Sequence, residues 1–269
     1  MSQIKLLYKN YVDIDNPNVT LTVTDAVATS SGQDIVDFIR NRNNNSAWLT
    51  TETSDAANTT LDIDLGDVQF IDTLILIGHN FKSFTIQYWD SGWTDFSTAI
   101  AETTNTDSST EFTFTEVLTN KLQLILTGTQ TADEDKVLKQ LIVTKLLRQL
   151  EAYPEIKNPS HTTNRSISKM ISGKSNFVSQ IGGFNVDLVL KYWNNDDDLS
   201  AIETIYTNRL PVLVWLCGGD EDQFKFKRIG YRKEDIYLMR PSNDYVPQWF
   251  SSIYTTGIDI TIKLVEVVD

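Results

Sequence analysis

Few side chains in this sequence could do covalent chemistry. The histidines are His79 and His161, and Cys217 is the lone cysteine. His161 lies in AYPEIKNPSHTTNR, a polar stretch with two prolines, where it reads as solvated. His79 follows an apolar run in Gly78-His79-Asn80, where an imidazole could cap a turn or touch a ligand. Cys217 ends the run VLVWLC, so its thiol reads as a small buried hydrophobe. Gly-x-Ser-x-Gly is absent, and nothing in the sequence supports nucleophilic catalysis.

Carboxylates are plentiful: Asp62 and Asp64, Asp133-Glu134-Asp135, Asp196-Asp197-Asp198 and Asp220-Glu221-Asp222. Glycoside hydrolysis needs two carboxyl groups facing each other across a cleft, which adjacency in sequence does not supply. Asp62 and Asp64 read as the wet side of a strand, and the three triplets read as turns or helix caps. None has the spaced ligands, central glycine and final glutamate of the EF-hand calcium loop. Gly173-Lys174-Ser175 matches the end of a phosphate loop, but the upstream glycine and the following helix are missing. Trp48, Tyr88, Trp89 and Trp93 could stack on a sugar ring, and they equally suit the core and lip of a sandwich. The candidates for ligand contact are therefore His79, Trp89 and Trp93. No catalytic residue, metal ligand set or cofactor is expected.

The bulk chemistry narrows the partners. Lys and Arg number 23 against 36 Asp and Glu, a net charge of -13, which argues against a phosphate-binding surface. Met1–Ala152 carries 10 Lys/Arg against 21 Asp/Glu, and the remainder carries 13 against 15. The near-neutral second part is thus freer to bury surface against other subunits. Lys225, Lys227, Arg228, Arg232 and Lys233 alternate with Phe224, Phe226 and Tyr231. They read as a hairpin and subunit contact, not as a nucleic-acid groove. A single cysteine excludes an intrachain disulfide. No apolar run has the length to span a bilayer. The opening residues MSQIKLLYKNYVDIDN lack the apolar core of a secretory signal, so synthesis in a cytoplasm is expected.

The elements that must position these residues read mainly as β. Leu61, Ile63 and Leu65 alternate with Asp62 and Asp64, which marks a strand with one wet face. Leu74–Ile77 is continuously apolar, as for a strand buried on both sides. Phe84, Ile86 and Tyr88 alternate again before the turn signal Ser91-Gly92. Three strands without an intervening helix predict antiparallel packing. Ile4–Tyr8 and Val19–Val23 read as short strands, Gly32–Arg40 as a short helix or turn, and Ala99–Thr110 as an exposed loop. Lys136–Leu150 fits either an amphipathic helix or a closing strand, and the neighbouring strands favour the latter.

Pro154 and Pro159 sit in an aperiodic stretch, which predicts a linker at residues 153–165 between a domain over 1–152 and another over 166–269. In the second, Phe184, Val186, Leu188 and Leu190 alternate. Asn194–Asp198 offers a cap for a helix over Leu199–Asn208. Val212–Cys217, a hairpin over Phe224–Tyr231 and Asp235–Met239, and Thr256–Val267 complete a β domain with one helix.

Trp48, LDIDLG at Leu61–Gly66, DTLILIGHN at Asp72–Asn80 and FTIQYWDSG at Phe84–Gly92 together resemble the discoidin-type, galactose-binding-like jelly rolls. FNVDLVLKYW, the acid-capped helix, PVLVWLCGG and ITIKLVEV are similar, in pattern and order, to the tube-forming β domains of phage tail proteins, the distal tail or hub protein among them. The domain order here is the reverse of that in familiar distal tail proteins.

These resemblances imply a jelly-roll β-sandwich followed by a tail-tube-like β domain. They further imply a non-enzymatic structural protein of a phage tail or baseplate, carried in the virion. It would form homo-oligomeric rings, contact other tail proteins, and display a sandwich for adhesion to a host surface glycan. The alternative is a carbohydrate-binding module protein with Trp89 or Trp93 on the sugar. A glycan-active enzyme is the third reading.

Overall fold

The structure, a computed structural model, describes residues 4–25, 36–42, 45–50, 58–151, 154–169, 175–216, 235–251 and 256–267. Cys217, the triplet Asp220–Asp222, Gly173-Lys174 and the basic hairpin over Phe224–Tyr231 lie outside the described residues. The chain is mainly β, with antiparallel sheets throughout and one α-helix among the described residues.

The strands in chain order begin with β1 (Lys5–Leu7), β2 (Thr20–Asp25), β3 (Trp48–Leu49), β4 (Thr59–Ile77) and β5 (Phe81–Trp89). They continue with β6 (Trp93–Glu102), β7 (Ser109–Thr129), β8 (Val137–Leu138), β9 (Gln140–Thr144) and β10 (Leu146–Gln149). Then come β11 (Glu155–Lys169), β12 (Ser175–Trp193), the helix α1 (Asp196–Asn208) and β13 (Val212–Trp215). Last are β14 (Ile236–Pro241), β15 (Gln248–Ser251) and β16 (Thr256–Glu266). The chain divides into two compact units: one is Tyr8–Leu146, and the other joins Lys5–Leu7 to the described residues from Leu147 onward.

In the first unit the sheet order is β2-β4-β7-β5-β6, with β9 also on β4. The wet-faced strand and the buried one expected separately are a single long strand, β4, broken by register shifts at Asp64/Gln69 and Ile71/Thr73. The second shift changes which side chains face inward. Leu61, Ile63, Leu65 and Ile71 at odd positions, then Leu74 and Leu76 at even ones, enter one core with Trp48, Phe81, Phe84 and Leu124. The sheet thereby folds over on itself as a sandwich. Gly66 permits the bend: its φ is +77°, and a Cβ there would meet Asn18 Cβ at 2.5 Å. Ala99–Thr110 is not wholly a loop, since β6 runs to Glu102 and β7 begins at Ser109. Lys136–Leu150 forms strands, as the sequence favours.

A 3₁₀ helix, Val36–Arg40, buries Val36, Ile39 and Arg40. The Arg40 guanidinium donates to the carbonyls of Val19 (3.1 Å), Asp13 (3.0 Å), Ile14 (3.2 Å) and Asn16 (2.7 Å). It fastens a loop that has no ladder of its own. Arg40→Met keeps the apolar stem and removes these bonds, while the partnerless buried Nε limits what is lost. The expected cost is about 2 kcal/mol, read from urea unfolding; a change below about 0.5 kcal/mol would show that the carbonyls are equally well served by water.

In the second unit the sheet order is β10-β1-β13-β14-β16-β12-β11, with β15 on β16. Two sequence expectations are corrected here. Residues 153–165 are not a linker, because Glu155–Lys169 is the edge strand β11 and pairs with β12 along its length. Pro159 is accommodated where the register jumps from Lys157 to Ser160, beside Asn158 at φ +52°, and an edge strand has no need of a proline N–H. A domain over 1–152 does not hold either: Lys5–Leu7 pairs with Leu213–Trp215 in the sheet of the second unit. Ile4, Leu6, Leu188, Leu190, Ile202, Val214, Ile260 and Ile262 are buried in that unit.

The α-helix lies where its cap predicts. The Asn195 side chain accepts the Asp198 N–H at 2.9 Å, and Asp196, Asp197 and Asp198 sit in the first turn, where the helix dipole favours negative charge. Arg209 closes the helix in the left-handed region, φ +51°, its N–H donating to the Ile205 carbonyl.

Candidate functional site

The alternation of β5 and β6 decides what the first unit shows to solvent. Phe84, Ile86 and Tyr88 point inward, and the Tyr88 ring lies 5.0 Å from Phe96, which lies 4.0 Å from Phe114. Trp89 therefore points outward. Trp93 is its register partner across the hairpin, so two indoles share the last rung of one ribbon. Their centroids are 5.3 Å apart at 81°, an edge-to-face pair, and they are 39% and 36% exposed.

The turn between them holds the pair still. The Asp90 N–H donates to the Gly92 carbonyl at 2.9 Å, and Ser91 takes the left-handed conformation at φ +58°. The buried Thr119 hydroxyl donates to the Trp89 carbonyl at 2.9 Å and fixes the ribbon against β7.

One rung inward, the outer face is polar and continuous across four strands. Gln87 donates to Asp95 at 2.9 Å, Gln87 and Gln123 are register partners, and Gln123 donates to Asp62 at 2.7 Å. On the rung of the indoles, Lys121 pairs with Asp64 at 3.3 Å. The result is an amphipathic platform: two immobilised aromatic faces beside a row of planar amide and carboxylate groups, each with paired donor or acceptor positions. A ring with one apolar face and a fringe of hydroxyls matches such a surface.

Of the sequence candidates, the structure brings Trp89 and Trp93 together and leaves His79 apart, at the other end of β5. His79 is 3% exposed, accepts the Phe81 N–H on Nδ1 at 3.2 Å, and places Nε2 3.0 Å from the Thr110 hydroxyl. Burial pushes its pKa down to about 4, against a weaker upward pull from Asp107. It is a turn residue with no open face. Trp48 is wholly buried, and His161 sits exposed on β11 with its ring 5.2 Å from Phe184. Among the described residues no three His, Cys, Asp or Glu side chains converge as metal ligands. The sequence reading missed Gln87, Asp95 and Gln123. For Gln87 and Asp95 the only signal was a position two residues from a tryptophan on the same strand face; for Gln123 it was the alternation with Leu122 and Leu124.

No protein-family model matches this chain, and no curated protein is similar to it. Solved structures do match part of it. A family 32 carbohydrate-binding module from Streptococcus pneumoniae EndoD is 14% identical, with 51% of this chain and 99% of that chain covered and a TM-score of 0.41. A chitosan-binding module from Paenibacillus sp. IK-5 is 19% identical, with 51% and 98% covered and a TM-score of 0.40. A module of Clostridium perfringens, solved with GalNAc-beta-1,3-galactose, is 11% identical, with 48% and 96% covered and a TM-score of 0.39. The chain also spans 28% of the length of SpGH29 and 27% of that of a Ruminococcus gnavus GH29 fucosidase. Likeness at these values does not define the site, which stands on the geometry of the two indoles and their polar row.

Proposed function

We propose that the first unit is a galactose-binding-like, non-catalytic carbohydrate-binding module whose sugar seats on the Trp89–Trp93 platform. The observation that carries the reading is the edge-to-face indole pair, exposed on one rung and fixed by the turn and by Thr119. An indole face covers the C–H face of a pyranose, and the Gln87–Asp95 and Gln123–Asp62 pairs lie within a rung to receive its hydroxyls. Rings at right angles offer a corner, not a flat track, which suits a chain end or a short oligosaccharide more than a crystalline surface. The platform's carboxylates, Asp62, Asp64 and Asp95, stand side by side on one sheet face and not across a cleft, so the reading is binding without turnover.

A glycan array followed by titration of the hits tests the reading. Trp89→Ala and Trp93→Ala are each expected to weaken the best ligand by about 30-fold, near 2 kcal/mol, and to lower stability by about 1 kcal/mol through loss of the ring pair, with the fold retained by circular dichroism. Silence across a broad array, or full affinity after both substitutions, would remove the proposal.

One observation favours the second reading, a ring-forming structural protein of a phage tail, carried in the virion and contacting other tail proteins. The outer edge of β11 has no strand partner among the described residues, and β12 pairs with β16 only over Asn185–Trp193. Among the described residues, the β11–β12 ribbon from Thr163–Lys169 to Ser175–Ile181 is therefore paired only within itself. A two-stranded ribbon is marginal in water, and an open edge is a template for another chain. Sedimentation across a concentration series tests this: closed oligomers support it, and a monomer throughout, absent from purified tail particles, ends it.

A further inference from the structure

We infer that the sugar seated on Trp89 and Trp93 carries an apolar aglycone, an alkyl or acyl chain as in a glycolipid, which lies along Leu118, Phe70 and Val68. The inference rests on the carbohydrate-binding reading and narrows its substrate class. It comes from a second exposed apolar surface beside the indoles.

Ile71, Val117 and Thr119 turn toward the core. Phe70 and Leu118 are their chain neighbours and each other's register partners, so both turn outward from β4 and β7. Val68 joins them two residues before Phe70 on β4. All three are more than half exposed, Val68 at 56%, Phe70 at 52% and Leu118 at 53%. The Lys145 ammonium steadies Phe70 from one side, 5.7 Å from the ring centroid, and Glu116 pairs with that ammonium.

This patch adjoins the sugar platform. β7 runs between β4 and β5, so in strand order Leu118 stands between Phe70 and the hairpin that carries the indoles. The next residue, Thr119, donates its hydroxyl to the Trp89 carbonyl at 2.9 Å. Bond lengths through that contact hold the Leu118 and Trp89 Cα atoms within about 12 Å of each other. A pyranose ring bearing several methylenes, at about 1.5 Å per C–C bond, spans that distance.

Area and charge select the occupant. Three half-exposed side chains of at most about 250 Å² each give no more than about 400 Å², half of the roughly 800 Å² that each side of a stable protein interface supplies. A membrane surface of acidic lipid is repelled: Met1–Ala152 carries 21 Asp/Glu against 10 Lys/Arg, and Lys121 and Lys145 are already paired with Asp64 and Glu116. An uncharged alkyl chain meets neither obstacle, and it gains by leaving water along the row. A sugar without one leaves three large apolar side chains wet.

The experiment titrates the full chain with octyl and methyl β-glycosides of galactose, glucose and N-acetylglucosamine, each below its micelle concentration. For the sugar that binds, the octyl glycoside is expected to bind about 10-fold more tightly than the methyl one, the effect of burying roughly two methylenes. Phe70→Ser and, independently, Leu118→Asn are expected to remove that margin, while methyl glycoside affinity changes by less than about 2-fold. Both substitutions fall on exposed side chains, so the fold persists. Trp93→Ala is expected to weaken both glycosides about 30-fold.

An octyl glycoside that binds no better than its methyl partner, or a margin that survives both Phe70→Ser and Leu118→Asn, overturns the inference and leaves the carbohydrate-binding reading to the array. Octyl affinity untouched by Trp93→Ala also overturns it, because the alkyl chain alone would then suffice. A dimer in sedimentation that Leu118→Asn dissociates overturns it as well, by giving the patch to a second copy of the chain. No binding of any glycoside, together with a silent array, removes the reading itself.

Discussion

Asp198→Ala is expected to destabilise the second unit by about 3–5 kcal/mol. Asp198 is wholly buried at the start of α1 and collects donors from three directions. Arg148, in β10, donates from Nε to Oδ1 at 2.5 Å. The Trp193 indole, at the end of β12, donates to Oδ2 at 3.1 Å, and the Glu151 N–H donates to Oδ2 at 3.0 Å. The helix cap is tied into the same knot, since Asn195 Oδ1 receives both the Asp198 N–H and, at 3.2 Å, Arg148 Nη2. Alanine removes the acceptor for an indole N–H, a backbone N–H and Arg148 Nε, while the rest of the guanidinium keeps Asn195 and Asp197. A donor left buried without an acceptor costs more than a hydrogen bond contributes.

Asp198→Asn keeps the shape, but it turns one oxygen into a donor that must face another donor, so it is expected to lose most of the same stability. The measurement is urea unfolding followed by the helix signal at constant pH. A loss below about 1 kcal/mol would mean that water takes over the carboxylate's role.

Acid is expected to weaken the first unit through His79. Its folded pKa is held at about 4 by burial, whereas an unfolded chain titrates near 6.5. The neutral imidazole donates from one nitrogen toward Thr110 and accepts from Phe81 with the other. A second proton would set donor against donor beside Phe81. Between these two pKa values the unfolded chain binds a proton that the folded chain refuses, so stability rises with pH across that window.

The His79 contribution is complete above about pH 6.5 and is lost progressively down to about pH 4. The deficit is about 2 kcal/mol at pH 5 and about 3 kcal/mol at the bottom of the window. Titrating carboxylates add their own slope in so acidic a chain, so the test is a difference. His79→Gln retains an acceptor for the Phe81 N–H and cannot take up a proton in this range. Its stability should vary less than that of the wild type between pH 7 and pH 5, by about 2 kcal/mol. Parallel curves for the two proteins would show that the imidazole opens to solvent before it protonates.

The burial of His79 also shows how a sequence can place a residue correctly and leave its surroundings open. The turn after the apolar run is where it is expected, but only the packing of Phe81 and Phe84 around the ring takes away its open face. The sequence likewise sets Trp89 on the opposite face from Phe84, Ile86 and Tyr88, because alternation with a period of two is a property of each strand alone. It could not place Gln123 beside Gln87 and Asp62, since that meeting depends on which strands pair and in what register.

Composition and periodicity were enough for the mainly β character and the capped helix, since each depends on neighbours within a few residues. The non-local matters belonged to the tertiary structure. Lys5–Leu7 was drawn into a sheet with Leu213–Trp215, far along the chain, and the proline-containing stretch expected as a linker became an edge strand that bulges around Pro159. The physical cause is the same in both cases. A strand is completed by the hydrogen-bonding edge it finds, and that edge is supplied by distant chain, so the local pattern can propose a strand without saying where it will dock.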